Sequence, residues 1–191
     1  MKVLRLTLLT ALAAAYSTAG IITYDAALSG LNEAPPTASP GIGFAIVTVD
    51  TILNTMEVNV TFSGLTSGNT AAHIHCCVAP GGNAGVATVT PTFTGFPSGT
   101  TAGSYDNVFD MTLASSYNPA FVTLQGGSVS AAEAVLFAGL ASGQTYLNIH
   151  TTQFGGGEIR GFLVATPEPG TWVLALAGLG AILFAKRKLA A

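Results

Sequence analysis

All three histidines of this 191-residue chain fall inside two copies of one phrase. The first copy is FSGLTSGNTAAHIH, Phe62 to His75, and the second is FAGLASGQTYLNIH, Phe137 to His150. The offset is 75 residues, and eight of fourteen positions are identical. Gly81-Gly82 and Gly156-Gly157 follow at the same offset. In a strand, residues i and i+2 share a face. His73 and His75 therefore point one way, with Ile74 toward a core, and Asn148 and His150 share a face with Leu147 and Ile149 inward. Glu158 and Arg160 flank an inward Ile159. If the two copies lie side by side, His73, His75, Asn148, His150, Glu158 and Arg160 form one polar cluster. Cys77 joins that face if the first strand continues so far.

Two chemistries fit the cluster. Three imidazoles, two of them presented by a His-X-His strand, suit zinc or copper. Alternatively the side chains form a hydrogen-bonded seam, with Glu158 and Arg160 as a structural ion pair. No Ser-His-Asp, Cys-His or paired-carboxylate signature points to a catalytic residue. For Cys76-Cys77, a strained ring between neighbours, bridging between chains, metal ligation and free thiols all remain open.

The elements that must position these residues read as short strands. Met56, Val58, Val60 and Phe62 alternate with Glu57, Asn59 and Thr61, the period-2 pattern of a half-buried strand. Strands are expected at 21–28, 43–50, 55–63, 70–75, 86–90, 107–113, 146–150 and 158–165. Asn118-Pro119 is a helix start, with a helix to Gln125. Ser130 to Glu133 has capping-box spacing and predicts a second helix to about Ala141. The fold class is mainly β: an antiparallel Greek-key β-sandwich with one or two short helices.

The ends read as targeting segments. Lys2 and Arg5 precede an apolar stretch, Leu6 to Ala15, and Ser17-Thr18-Ala19 offers a small-residue cleavage site. Residues 1–19 are therefore expected to be a signal peptide removed by signal peptidase, leaving a β domain over 20–165. Pro167-Glu168-Pro169-Gly170 interrupts regular structure. An uncharged apolar run, Trp172 to Ala185, follows, and Lys186-Arg187-Lys188 closes it. As a helix this run spans about 21 Å at ~1.5 Å per residue, short for a ~30 Å hydrocarbon core. Its basic flank is expected to stay cytoplasmic, which puts the domain outside. Between Gly20 and Thr166 there are eight acids and one base, Arg160, a net charge of about −7 with histidines neutral. Such a domain is no partner for nucleic acid, whose affinity comes from Lys and Arg on phosphates. It is also expected to be repelled by anionic lipid and anionic polysaccharide unless a divalent cation bridges them.

Residues 166–191 closely resemble the PEP-CTERM sorting signal of Gram-negative bacteria: Pro167, Glu168 and Pro169, a short apolar segment, then a basic cluster. That resemblance implies an exosortase as partner, transient residence in the inner membrane and cleavage near Pro167-Glu168-Pro169. Release or attachment at the cell surface follows, in bacteria that make exopolysaccharide and biofilm. Ala72 to His75 with its glycine-rich loop, and Tyr146 to Thr151 with Gly156-Gly157-Glu158-Ile159-Arg160-Gly161, resemble the two halves of the CHRD domain, the module first described in chordin. Cys76-Cys77 stands where many members have glycine, and Gly155-Gly156 where proline is common. This resemblance implies a non-catalytic extracellular binding or structural domain. His73-Ile74-His75 on a β-sandwich also resembles copper–zinc superoxide dismutases, and a metal-dependent activity is the alternative. The chain lacks the additional histidines and the metal-loop aspartate of those enzymes.

Overall fold

The computed structural model describes residues 20–166. The expected signal peptide and the sorting segment from Pro167 onward lie outside the described residues. Among these residues no helix is long and apolar enough to cross a membrane.

Among the described residues, eight antiparallel strands form one curled sheet with two short α-helices. They are β1 (Ile21–Ser29), β2 (Ile42–Asp50), β3 (Thr55–Ser63), β4 (Asn69–Cys76), β5 (Gly103–Asp110), β6 (Thr145–Thr151), β7 (Ile159–Phe162) and β8 (Val164–Ala165). The order across the sheet is β4-β6-β7-β1-β2-β3-β5, with β8 also on β1. The mainly antiparallel β class is thus as expected. Its two layers are the wings of one continuous sheet, because β1 bonds to β2 along one edge and to β7 and β8 along the other. Val47, Val58 and Val60 from one wing and Ile74, Leu147, Ile149 and Ile159 from the other enter a single apolar core.

Helix α1 (Pro119–Leu124) starts where expected, with the Asn118 side chain accepting from Ala120 N. Helix α2 (Val129–Ala141) starts two residues earlier than the capping-box spacing indicates. Ser128, not Ser130, is the cap, and its hydroxyl accepts from Ala131 N. Leu136 and Leu140 of α2 are buried in the core. Phe62 on a strand and Phe137 on a helix are both as read, so the repeat begins structurally at its Ser-Gly turns.

Three further expectations change. The segment 86–90 makes only isolated bridges, His75 to Val86 and Thr88 to Tyr117. It still covers the open edge of β4: Ala87 N donates to Ile74 O and Phe93 N to Ala72 O. The strand expected at 107–113 is β5, shifted toward its N-terminus because its register is set by β3, with Phe62 opposite Gly103 and Thr55 opposite Asp110. The last strand divides at Leu163, whose side chain turns fully into the core.

Gly161 shows how closely β7 is pressed on β1. A Cβ there would lie 2.4 Å from the Ala27 carbonyl oxygen, which cannot move without breaking the sheet. Gly161→Ala is expected to destabilise the protein by about 1–3 kcal/mol, the usual cost of overpacking. Gly156→Ala, with no atom within 4 Å of the added methyl, is the control. Thermal unfolding of both variants checks this.

Candidate functional site

The two copies of the repeat pair with each other. β4 and β6 run antiparallel with His73 opposite Asn148, His75 opposite Tyr146 and Ala71 opposite His150. His73 and Asn148 are equivalent positions, so the pairing is centred on the repeat itself. The equivalent residues His75 and His150 then lie on opposite sides of that centre and lean inward. The ring centroids stand 6.0 Å (His73–His75), 5.3 Å (His73–His150) and 5.7 Å (His75–His150) apart. This face of the sheet is turned away from Ala72, Ile74, Leu147 and Ile149, which are core residues.

Each ring is held by a main-chain carbonyl. His73 Nε2 is 2.7 Å from Pro91 O, His75 Nδ1 is 2.9 Å from Ala84 O, and His150 Nδ1 is 3.0 Å from Gly155 O. A carbonyl oxygen only accepts, so each of these nitrogens carries the proton. In the neutral ring the other nitrogen is then a bare lone pair. Those three atoms, His73 Nδ1, His75 Nε2 and His150 Nε2, are buried and have no partner. His73 and His75 are buried residues and His150 is half-buried, its outer edge at the Gly155 contact. One ligand nitrogen from each ring lies within 4.8 Å of the other two. Around a tetrahedral ion with bonds of about 2.0–2.1 Å, nitrogens stand about 3.3–3.4 Å apart, a contraction within reach of small side-chain rotations.

The glycine-rich loops of the repeat deliver two of these carbonyls, Ala84 after Gly81-Gly82 and Gly155 before Gly156-Gly157. Gly157 has φ +130, and a Cβ on it would lie 2.3 Å from the Asn148 amide nitrogen. Only glycine lets that loop close over the site.

The neighbouring row is Arg160, opposite Asn148 on β7. Arg160 is fully buried. Its Nε donates to Asn32 O at 2.6 Å and its Nη1 to Asn83 Oδ1 at 2.7 Å. Its guanidinium lies 4.6 Å over the Tyr146 ring. Tyr146 in turn stacks on His75 with centroids 4.7 Å apart. The carboxylate partner is Glu33, 3.7 Å from Arg160 Nε, from the loop after β1.

The expected Glu158–Arg160 pair does not form. Glu158 precedes β7, and its fully buried carboxylate serves another network. Oε1 accepts from Ser39 Oγ at 2.5 Å and Thr66 N at 2.7 Å. Oε2 accepts from Thr66 Oγ1 at 3.0 Å and Thr151 Oγ1 at 2.7 Å. Burial alone would raise its pKa; these hydrogen bonds outweigh that and hold it below the usual carboxylate range. Cys77 does not join the histidine face either. β4 ends at Cys76, and the two sulfurs are bonded to each other beside α2. A Cβ on Gly139 of α2 would lie 2.7 Å from both, so glycine leaves their space.

Glu33 is the residue that sequence reading missed. It lies in a proline-rich loop with no periodicity to mark it. It lines two clefts, one of about 400 Å³ with Asn32, Gly81 and Phe162 and one of about 210 Å³ with Phe154 and Gly157. Eight buried side-chain polar atoms lack partners among the described residues. Six are here: Glu33 Oε1, Asn148 Oδ1, Arg160 Nη2 and the three imidazole nitrogens. Buried polar groups are ordinarily satisfied, so their concentration on one face sets it apart from the rest of the described domain.

Burial pushes the pKa of His73 and His75 down to about 4 from 6.5, and lowers that of His150. The unfolded chain binds protons at His73 and His75 near pH 6.5, the folded protein only near 4. The unfolded state therefore holds more protons in that window, and stability is lost as pH falls from about 6.5 to about 4. Glu33 acts oppositely. Burial raises its pKa to about 7 from 4.5 against the pull of Arg160, so its contribution is full below 4.5 and lost as pH rises through 7. Denaturant unfolding of the metal-free protein across this range is expected to show falling stability toward acid, with a steeper slope in Glu33→Gln.

Comparison with known proteins agrees with both resemblances. The CHRD domain family matches residues 24–163, and the PEP-CTERM protein-sorting motif matches residues 165–188. No curated protein matches the chain, and no solved structure does. Neither matched module is a catalytic type. The sorting motif implies processing by an exosortase and export to the surface of a Gram-negative cell. The chain belongs to the CHRD domain family and carries a PEP-CTERM sorting motif at its C-terminal side.

Proposed function

We propose that the exported domain is a non-catalytic metal-binding module, which holds one zinc or copper ion on His73, His75 and His150. The observation that carries this is the set of three bare, buried imidazole nitrogens. Each is presented by a ring whose other nitrogen is tied to a main-chain carbonyl. That is the arrangement in which outer partners fix the tautomer and aim the ligand. Three neutral nitrogens and no thiolate favour zinc or copper over calcium or magnesium, which take oxygen ligands. Asn148, Arg160 and Glu33 shape the surroundings, and Glu158 holds the turn behind them.

Displayed at the surface of cells that make exopolysaccharide, such a module serves as a binding or structural component of the matrix. The acidic charge of the domain supports that role through cation bridging to anionic polysaccharide. Signal peptidase and an exosortase process the two ends.

Metal analysis of the purified protein after incubation with zinc or copper is expected to return about one ion per chain, held by three imidazoles with a fourth position left open. His73→Ala and His150→Ala are expected to lose it. Metal at about 100 times its dissociation constant should stabilise the fold by about 2.7 kcal/mol. A protein that returns no stoichiometric metal after reconstitution does not have this function.

A further inference from the structure

The turn between β2 and β3, Thr51–Asn54, has an unusual composition. Its two middle residues are Ile52 and Leu53, 69% and 68% exposed. Turns of this kind ordinarily carry Gly, Asn, Asp or Ser there. The turn is also firmly built. Asp50 Oδ1 accepts from Ile52 N at 2.8 Å and Leu53 N at 3.0 Å. Asn54 takes the left-handed conformation at φ 52, and its carbonyl accepts from Met111 N at 2.8 Å. Ile21, 58% exposed, stands beside them on β1, opposite Asp50. Among the described residues the one lysine or arginine is Arg160, buried beside the histidines, and the charges next to the turn are Asp50 and Asp110.

The chain leaves the domain at this same end. β8 pairs with β1 so that Ala165 faces Tyr24, and Thr166 N donates to Thr23 O at 2.8 Å. The direction of β8 carries the chain toward Ile22 and Ile21. From Thr166 to the apolar run that begins at Trp172 there are only five residues between. At ~3.3–3.6 Å per residue the segment reaches at most about 22 Å. Whenever that run sits in a bilayer, the end of the sheet that carries Ile21, Ile52 and Leu53 stays within about 22 Å of the bilayer surface, close enough to touch it.

We propose that this tip inserts shallowly into the phospholipid surface while the chain is still anchored, so that the domain stands on the membrane. The proposal rests on the sorting-signal reading of residues 166–191 and is independent of the metal site. The contact is apolar, so salt does not weaken it, in contrast to binding through basic residues. Removal of the anchor leaves a few aliphatic side chains, too little area to hold the mature domain on lipid.

The test uses the full chain with its single tryptophan removed, Trp172→Phe, in phosphatidylethanolamine–phosphatidylglycerol vesicles. Tryptophan is then placed by Ile52→Trp, Leu53→Trp or, at the opposite end of the sheet, Thr101→Trp. Flotation with the vesicles is scored first. In floating protein, the two tip variants are expected to show blue-shifted emission that brominated acyl chains quench by more than half at low and high salt, with no quenching at Thr101→Trp. Water-like, unquenched emission at the tip in floating protein overturns the proposal and leaves the anchor intact. A blue shift without bromine quenching overturns it in favour of contact with a second copy. A chain that does not float lacks the anchor and overturns the proposal together with the sorting-signal reading.

Discussion

Three hydrogen bonds from imidazole N–H groups to main-chain carbonyls set the character of this domain. A histidine free to rotate and tautomerise is a poor ligand, because ordering it costs entropy at the moment of binding. Here Pro91, Ala84 and Gly155 have already ordered the rings. The carbonyls come from loops, and the loops are held in turn by the sheet. The glycine-rich segments, the covering of the β4 edge by residues 86–93 and the pairing of β4 with β6 all converge on that positioning.

The site also explains an economy of charge. The described part of the chain has one basic residue, Arg160, and it is fully buried. A buried guanidinium is costly unless hydrogen bonds and a counter-charge offset its desolvation. Asn32 O and Asn83 Oδ1 accept from Nε and Nη1, the Glu33 carboxyl stands 3.7 Å from Nε, and the Tyr146 face covers the group, while Nη2 has no partner among the described residues. It thus ties the loop after β1 and the loop after β4 over the sheet. Its role is to brace the roof of the site, and the exterior is left to acids and small polar residues.

Much of this was legible in the sequence, and the reasons for the misses are physical. Period-2 alternation located β3, and the caps at Asn118 and near Ser130 located the helices, because these signals are local. The histidine phrase was legible because a strand places i and i+2 on one face. Glu158 was misassigned by the same rule: it lies just before β7, where strand alternation no longer governs direction, and its carboxylate turns to Thr66 and Thr151. Glu33 was invisible because a loop residue has no period, and only the tertiary fold brings it to Arg160 on β7, 127 positions along the chain. The continuity of the sheet was equally hidden, since which strands share an edge is decided by pairing at long range.

The tautomers of the three rings test the arrangement most directly. Long-range proton–nitrogen spectra of the metal-free protein near neutral pH should show His73 protonated at Nε2 and His75 and His150 at Nδ1, each ring neutral. Added zinc or copper should perturb the opposite, bare nitrogen in all three together. Rings that exchange between tautomers, or bare nitrogens that do not respond to metal, would contradict a preorganised three-histidine centre.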